Sequence, residues 1–421
     1  MRSMQKIAVV EVLKIPAFRS LWLSQIFSQT AINLLTFVLA LRVYHLTGIN
    51  TTVSVLTLSF IVPQALFGLL AGVLVDRYDK KVTLFLCNSI RAAVVLLFLL
   101  TSEALPFIYL LAIFISLVTQ FFIPAEAPII PTIVSKKELL TANGVFTLTI
   151  FISMLAGGLL AGPLLDLFGL DKTFVFIFGM YLLASLWITQ IPGQPIRSVL
   201  KRRTKYLSNW TNWANLLDGE TIIKIKKEFL EGKDYILTHA KVSLSLSLLI
   251  GSQTVIASVS TLLPGLADKV LHRPVNDVSI MLLGPAILGI VLGTVVVSQF
   301  GKKLKLSAAI ATGIIFVAIN LTLLGLTDRL IFVQIFLFAL GFSNALIDVS
   351  ANTILQTNTA EEVRSRVYGV LTATGGMVFI IPVIMTGALS DFMGVRNVFF
   401  LSGVLIFILF FFKIRKRLMI L

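Results

Sequence analysis

A chain of 421 residues that is 57% hydrophobic and only 13% charged, with a mean hydropathy of +0.97, is far more apolar than a water-soluble domain. Its net charge of +15 would suit a nucleic-acid partner only if the basic residues formed one continuous face, and they are instead parcelled into short loops. The single cysteine, Cys87, excludes an intrachain disulfide, and His45, His239 and His272 lack metal-ligand spacing, so neither a metal nor any other cofactor is expected.

A bilayer core requires roughly 20 mostly apolar residues per spanning helix, because each backbone polar group must be satisfied within its own segment. Charge-poor runs lie at 20–41, 46–75, 82–102, 104–125, 139–165, 173–196, 242–267, 278–301, 306–327, 330–360, 367–390 and 397–412. The expected fold is therefore an all-α membrane protein with twelve transmembrane helices. The last run is the shortest, and Arg396 and Lys413 flank it where they reach the headgroups. Arg2, Lys6, Glu11 and Lys14 precede the first run without a cleavage pattern, which predicts an uncleaved first helix. Of the 35 Lys and Arg residues, 28 fall in segments on the side of the amino terminus, against five on the other: Lys172, Lys269, Arg273, Arg329 and Arg396. The positive-inside rule then places both termini in the cytoplasm of a multi-pass protein of the cell membrane.

The densest charge separates six runs from six. This predicts an N-terminal six-helix bundle over 1–192, a cytoplasmic linker over 193–241 and a C-terminal six-helix bundle over 242–421. Within the linker, Ile222, Phe229 and Ile236 share one helical stripe, with Ile223, Leu230 and Leu237 beside it, as on an amphipathic surface helix. Trp210 and Trp213 suit the headgroup layer, although a solvated connector fits equally well.

A short pattern recurs at span ends. Gly162 to Gly169 ends the fifth run and Gly387 to Gly394 the eleventh, both reading G-x-L-x-D-x-x-G. Gly72 to Asp79 ends the second run and lacks only the final Gly, and a worn copy at Thr294 to Gly301 ends the eighth. Gly and Asp merely marking helix ends is the plainer account, but the spacing is as regular as the composition. Runs two, five, eight and eleven correspond if each half holds two inverted three-helix units.

Ionisable groups inside a span are costly and usually face a cavity or a partner. Arg91 and Asp348 are the two. Arg91 suits either a structural or a substrate role; Asp348, amid Ser343, Asn344, Ser350 and Asn352, is the candidate for proton coupling. Gln25, Gln29 and Asn33 recur every four residues on the first span and form one polar face, expected to line a central cavity. Gln64, Gln120, Gln253 and Asn344 are further cavity candidates, with interhelical hydrogen bonding as their plainer role. Gly158, Gly162 and Pro163 in the fifth span, and Gly289 and Gly293 in the eighth, are expected to permit close packing and bending.

Along its whole length the chain resembles the major facilitator superfamily, and the loop Gly72-Val-Leu-Val-Asp-Arg-Tyr-Asp-Lys-Lys81 looks like that family's signature. The stretches Phe122 to Pro128, Leu139 to Asn143, Glu231 to Tyr235 and Gln356 to Val367 are similar to the macrolide and multidrug efflux branch, to which siderophore exporters and lysophospholipid flippases are related. The resemblance implies two pseudo-symmetric six-helix bundles, with Asp76 as a latch between them and Arg77, Lys80 and Lys81 in charge pairs. Asp79 stands where the family has Gly, so the turn there is expected to differ. By the repeat, Asp166 and Asp391 are expected to be matching latches on the outer face. The Gly-Pro pair of the fifth span resembles an antiporter signature, which favours export.

No nucleotide-binding loop is found, so an ion gradient is the expected energy source. The leading expectation is proton-coupled efflux of amphipathic small molecules by a monomer among membrane lipids, with neither nucleic acid nor enzymatic activity. The same fold would serve a lysophospholipid flippase or a siderophore exporter. A non-transporting membrane sensor is the reading of another class, and the chain offers no sizeable soluble domain to support it.

Overall fold

The computed structural model describes residues 11–76, 78–101, 103–135, 138–191, 219–300 and 305–415, and every element among them is helical. The chain runs through α1 (Pro16–Thr47), α2 (Asn50–Asp76), α3 (Lys80–Thr101) and α4 (Leu105–Glu126). It continues in one helical run, Leu139–Thr189, which Gly169 breaks with a φ of 76° into α5 (139–168) and α6 (170–189). The linker helix α7 (Gly219–Thr238) leads into α8 (Ala240–Gly265), α9 (Gly284–Phe300), α10 (Leu306–Leu326), α11 (Leu330–Thr357), α12 (Glu361–Met393) and α13 (Val395–Leu409).

Among the described residues, ten helical segments are long and apolar enough to cross a membrane. One of them, Ile152–Thr189, contains parts of the fifth and sixth expected spans, and the eleventh expected span coincides with the apolar helix Met377–Met393. Each of the twelve expected spans thus meets an apolar helix. Exposed Leu100, Phe392 and Phe412 fit a surface solvated by lipid rather than water.

Two turns explain why the repeat ends in glycine. Gly169 and Gly394 occupy its last position in two copies, and both adopt positive φ, 76° and 89°, which a Cβ would disfavour. The third copy has Asp79 there. That residue does not enter the left-handed region; its carboxylate instead accepts the Val82 N–H at 2.9 Å and caps α3.

By its contacts the chain falls into two compact units, residues 1–39 with 66–223, and residues 40–65 with 224–421. In the first, Phe18, Leu21, Leu84, Phe122, Phe146 and Ile188 share one buried core. In the second, α9 and α11 pack backbone to backbone. A Cβ on Gly289 would strike the Phe338 carbonyl, and one on Gly341 the Ala286 carbonyl. A Cβ on Gly293 would lie 2.7 Å from the Phe342 carbonyl, so small residues set this helix separation. The linker helix docks through Tyr235, whose hydroxyl donates to the Asn358 carbonyl (3.4 Å) and accepts the Ala360 N–H (3.2 Å). Ile236 of its expected apolar stripe is buried while Leu230 and Leu237 are exposed. Trp210 and Trp213 lie outside the described residues, as do the side chains of Ile222, Ile223 and Phe229.

Candidate functional site

The first unit buries a fixed positive charge. Arg91 on α3 is 1% exposed, and because a guanidinium keeps its proton, acceptors and anions must compensate it. Its Nη1 donates to Ser28 Oγ of α1 at 3.0 Å and reaches Asn88 Oδ1, one turn earlier, at 3.5 Å. Ser28 in turn donates to Asn88 Oδ1 at 2.9 Å. The guanidinium carbon lies 4.7 Å from the Phe122 ring centroid on α4 and 5.9 Å from that of Tyr181 on α6, within cation–π range. Glu126, the last residue of α4, is buried and within electrostatic reach of Arg91.

Several polar atoms around this network have no partner among the described residues. They are Nε and Nη2 of Arg91, Nδ2 of Asn88, both amide atoms of Gln25, and the hydroxyls of Ser24 and Tyr181. Gln25 was expected on a cavity-lining face, and the structure places it at 0% exposure one turn from Ser28.

The second unit holds a carboxylate instead. Asp348 on α11 accepts from Ser252 Oγ of α8 through Oδ1. Its Oδ2 accepts from Gln253 Nε2 at 3.2 Å and from Asn344 Nδ2 at 3.4 Å. Three expected residues therefore converge: Asp348, Gln253 and Asn344. A cavity of 190 Å³ adjoins them, lined by Ser252, Asn344, Val317 and Ile347 among others. It shares Ser247, Gly251, Val255, Ile406 and Leu409 with a larger cavity of 730 Å³, which follows α8 from Leu246 to Leu262. Val378, Met385 and Leu389 of α12 and Leu405 of α13 complete much of its apolar wall.

A third cluster joins the end of α12 to the start of α2. Asp391 Oδ1 accepts the Asn50 N–H at 2.9 Å, and Oδ2 accepts the Thr51 N–H at 2.8 Å and the Thr51 hydroxyl at 2.6 Å. These are free N–H groups of a first helical turn, the positive end of α2. Lys269 Nζ adds an ion pair at 3.8 Å. One turn earlier, a Cβ on Gly387 would lie 3.0 Å from Thr51 Cα, so glycine permits this approach. Nearby, the Tyr44 hydroxyl donates to Asp268 Oδ2 at 3.0 Å.

The remaining expected residues are dispersed. Asn33 donates to the Gln29 carbonyl at 2.8 Å, and its Cβ lies 2.6 Å from where Gly157 would carry one, at the α1–α5 contact. Gly158 faces the Phe37 ring, Gly162 is buried, and Pro163 lies inside α5. Gln120 donates to the Ser116 carbonyl at 3.0 Å, and Gln64 is exposed. Lys80 Nζ donates to the Val75 carbonyl (3.2 Å) and Lys81 Nζ to the Ile191 carbonyl (2.5 Å), both near helix carboxyl ends. Asp166 is exposed at the end of α5. Arg77, the surroundings of Gly72 and the side chain of Asp76 lie outside what the structure describes.

Sequence reasoning passed over Glu126, Asn88, Ser28 and Tyr181. Asn88 precedes Arg91 by three residues and Ser28 follows Gln25 by three, so helical spacing carried a signal for both. Glu126 sits one residue beyond the fourth charge-poor run, where an acid passes for a loop residue.

The family model described as Major Facilitator Superfamily matches residues 21–381 and 250–418. Among curated proteins, the chain is 26% identical over 370 residues to the enterobactin exporter EntS of Escherichia coli, covering 85% of this chain and 81% of that one. It is 25% identical over 374 residues to the MFS-type transporter YfiS of Bacillus subtilis, covering 88% and 85%. Among solved structures, the nucleoside transporter NupG superposes with a TM-score of 0.71 at 13% identity, over 94% of this chain and 98% of that one. A POT family transporter superposes with a TM-score of 0.68 at 11% identity, over 93% and 94%.

Proposed function

The chain belongs to the Major Facilitator Superfamily, whose members are multi-pass secondary transporters rather than enzymes, and we propose that it is a proton-coupled exporter of amphipathic and lipophilic small molecules. The observation that carries this reading is the Asp348 cluster beside an apolar cavity. A carboxylate can lose its charge by taking a proton, and three neutral donors hold it where the charged form remains tolerable. Proton exchange at Asp348 then changes the polarity of a chamber otherwise suited to apolar cargo.

Export by alternating access also requires an end that closes and opens. The Asp391 bonds to Asn50 and Thr51 form a clasp that a helix movement can release. Asp76, at the end of the corresponding repeat, serves as the latch on the cytoplasmic side, where both termini lie. The similarity to EntS supports the export direction.

Proteoliposomes report the function directly. Lipophilic cations and macrolides should each drive proton movement through the wild-type protein and none through Asp348→Asn. Lysolipid translocation alone, without need of a pH gradient, would sink this reading. A second reading, siderophore export, is favoured by the 26% identity to the enterobactin exporter; transport of a catecholate and of no lipophilic cation would establish it instead.

A further inference from the structure

We infer that the Arg91 cluster is an anion-binding site for the acidic head of an amphiphile, a sulfonate, phosphate or carboxylate, and that Glu126 is the internal anion it displaces. The site rests on charge conservation in a buried place. Arg91 is 1% exposed and permanently cationic, so one negative charge must accompany it in every state that keeps it buried.

Among the described residues, Glu126 on α4 is a buried acid within electrostatic reach of Arg91. Among the described residues, the thiol of Cys87 on its own helix and the phenol of Tyr181 on α6 are also within electrostatic reach of Arg91. From α1, Ser24, Gln25 and Ser28 carry no charge. Two arrangements are therefore neutral: ionised Glu126 with no ligand, or protonated Glu126 with a bound anion.

The hydrogen-bond inventory points the same way. Ser28 and Asn88 occupy only Nη1 of the guanidinium. Its Nε and Nη2, with Asn88 Nδ2 and Gln25 Nε2, are buried donors lacking an acceptor among the described residues. Buried donors in such excess call for an acceptor from outside the chain, and an oxyanion supplies several lone pairs at once. The rings of Phe122 and Tyr181 flank the charge and give the adjoining chain of an amphiphile an apolar surface.

Binding takes up one proton from water onto the Glu126 carboxylate while Arg91 keeps all of its own, so the cluster's net charge remains zero. Affinity for a permanently ionised ligand then rises as pH falls, by up to about tenfold per pH unit across the titration of Glu126. The site adds an anionic class of ligand to the cargo proposed for the Asp348 cavity, and rests on the export reading only for the direction of movement.

The test uses the full chain in nanodiscs and decanesulfonate, whose charge does not titrate. Calorimetry in two buffers of different ionisation enthalpy should record uptake of one proton per sulfonate bound. Decyltrimethylammonium should bind without proton uptake, and inorganic sulfate at least about tenfold more weakly than the amphiphile, because it lacks the apolar chain. Glu126→Gln should bind decanesulfonate at all pH values as tightly as the wild type does at low pH. Arg91→Gln should lose sulfonate binding, while Arg91→Lys keeps a weakened form. Thermal denaturation checks folding, and if Arg91→Gln does not fold, the pH profile of Glu126→Gln decides. PH-independent binding by the wild type, or unchanged pH dependence in Glu126→Gln, overturns the inference. Inorganic sulfate binding as tightly as decanesulfonate overturns the amphiphile assignment. Loss of proton-driven export in Asp348→Asn with sulfonate binding intact separates the two sites.

Discussion

Arg91 and Asp348 are both ionisable residues within expected spans, yet the structure treats them in opposite ways. Arg91 is enclosed, donates through one nitrogen to two neutral groups and leaves two other nitrogens without a partner among the described residues. Asp348 receives hydrogen bonds on both oxygens and adjoins a cavity. The difference follows from acid–base chemistry. A guanidinium cannot shed its charge, so its surroundings must supply an anion; a carboxylate can, so its surroundings need only moderate the charge. One site demands a partner and the other suits a switch.

That contrast is broken or sharpened by substitutions on each side. The largest expected effect is functional: Asp348→Asn should abolish substrate-driven proton movement in proteoliposomes while leaving thermal stability in detergent nearly unchanged. A large stability loss would make Asp348 structural and remove the distinction. Next, Arg91→Leu should destabilise the fold by about 3–5 kcal/mol, because it strands buried Glu126 without its cation. The double variant Arg91→Leu with Glu126→Leu should recover much of that loss, and equal destabilisation in single and double variants would show the pair to be uncoupled.

Asp391→Asn tests a carboxylate that is neither enclosed nor beside the cavity. Weakening its charge-assisted bonds to α2 should cost about 1.5–3 kcal/mol of clasp stability, measured as faster thiol labelling of a cysteine introduced at Ser54, which is buried against Gly387. Unchanged labelling would mean that the clasp carries no conformational weight. The smallest effect is expected at Ser252→Ala, which removes one of three donors to Asp348 and should cost about 0.5–1.5 kcal/mol. The change should also shift the pH at which proton-driven transport is half-maximal toward higher values, since losing a donor to the carboxylate favours its protonated form. A shift toward lower pH would place Ser252 outside the coupling group.

The spans were legible because hydropathy is a local property. Gly169 and Gly394 were legible as the last residues of a repeat, although only the backbone revealed why glycine stands there: both turns enter the left-handed region. Asp391 was found through the same repeat, and its partners Asn50 and Thr51 were not, since they lie 341 and 340 residues away in sequence. The polar face of α1 shows the limit of periodicity. Gln25, Gln29 and Asn33 share a helical stripe, yet Gln25 is buried one turn from Ser28 while Asn33 packs where Gly157 of α5 makes room. A stripe fixes direction from the helix axis, and the neighbouring helix decides what that direction meets.

Sequence by itself determined that this protein lives in a bilayer, how many times its chain crosses and where the two ionisable groups within its expected spans fall, because these depend on composition within a single helix. Tertiary structure decided what those charges do. Arg91 is joined to Ser28 across 63 residues and Asp348 to Ser252 across 96, and such pairings arise only when helices pack at separations set by small residues such as Gly289 and Gly341. The apolar cavity along α8 is likewise a space left between helices rather than a property of any one of them.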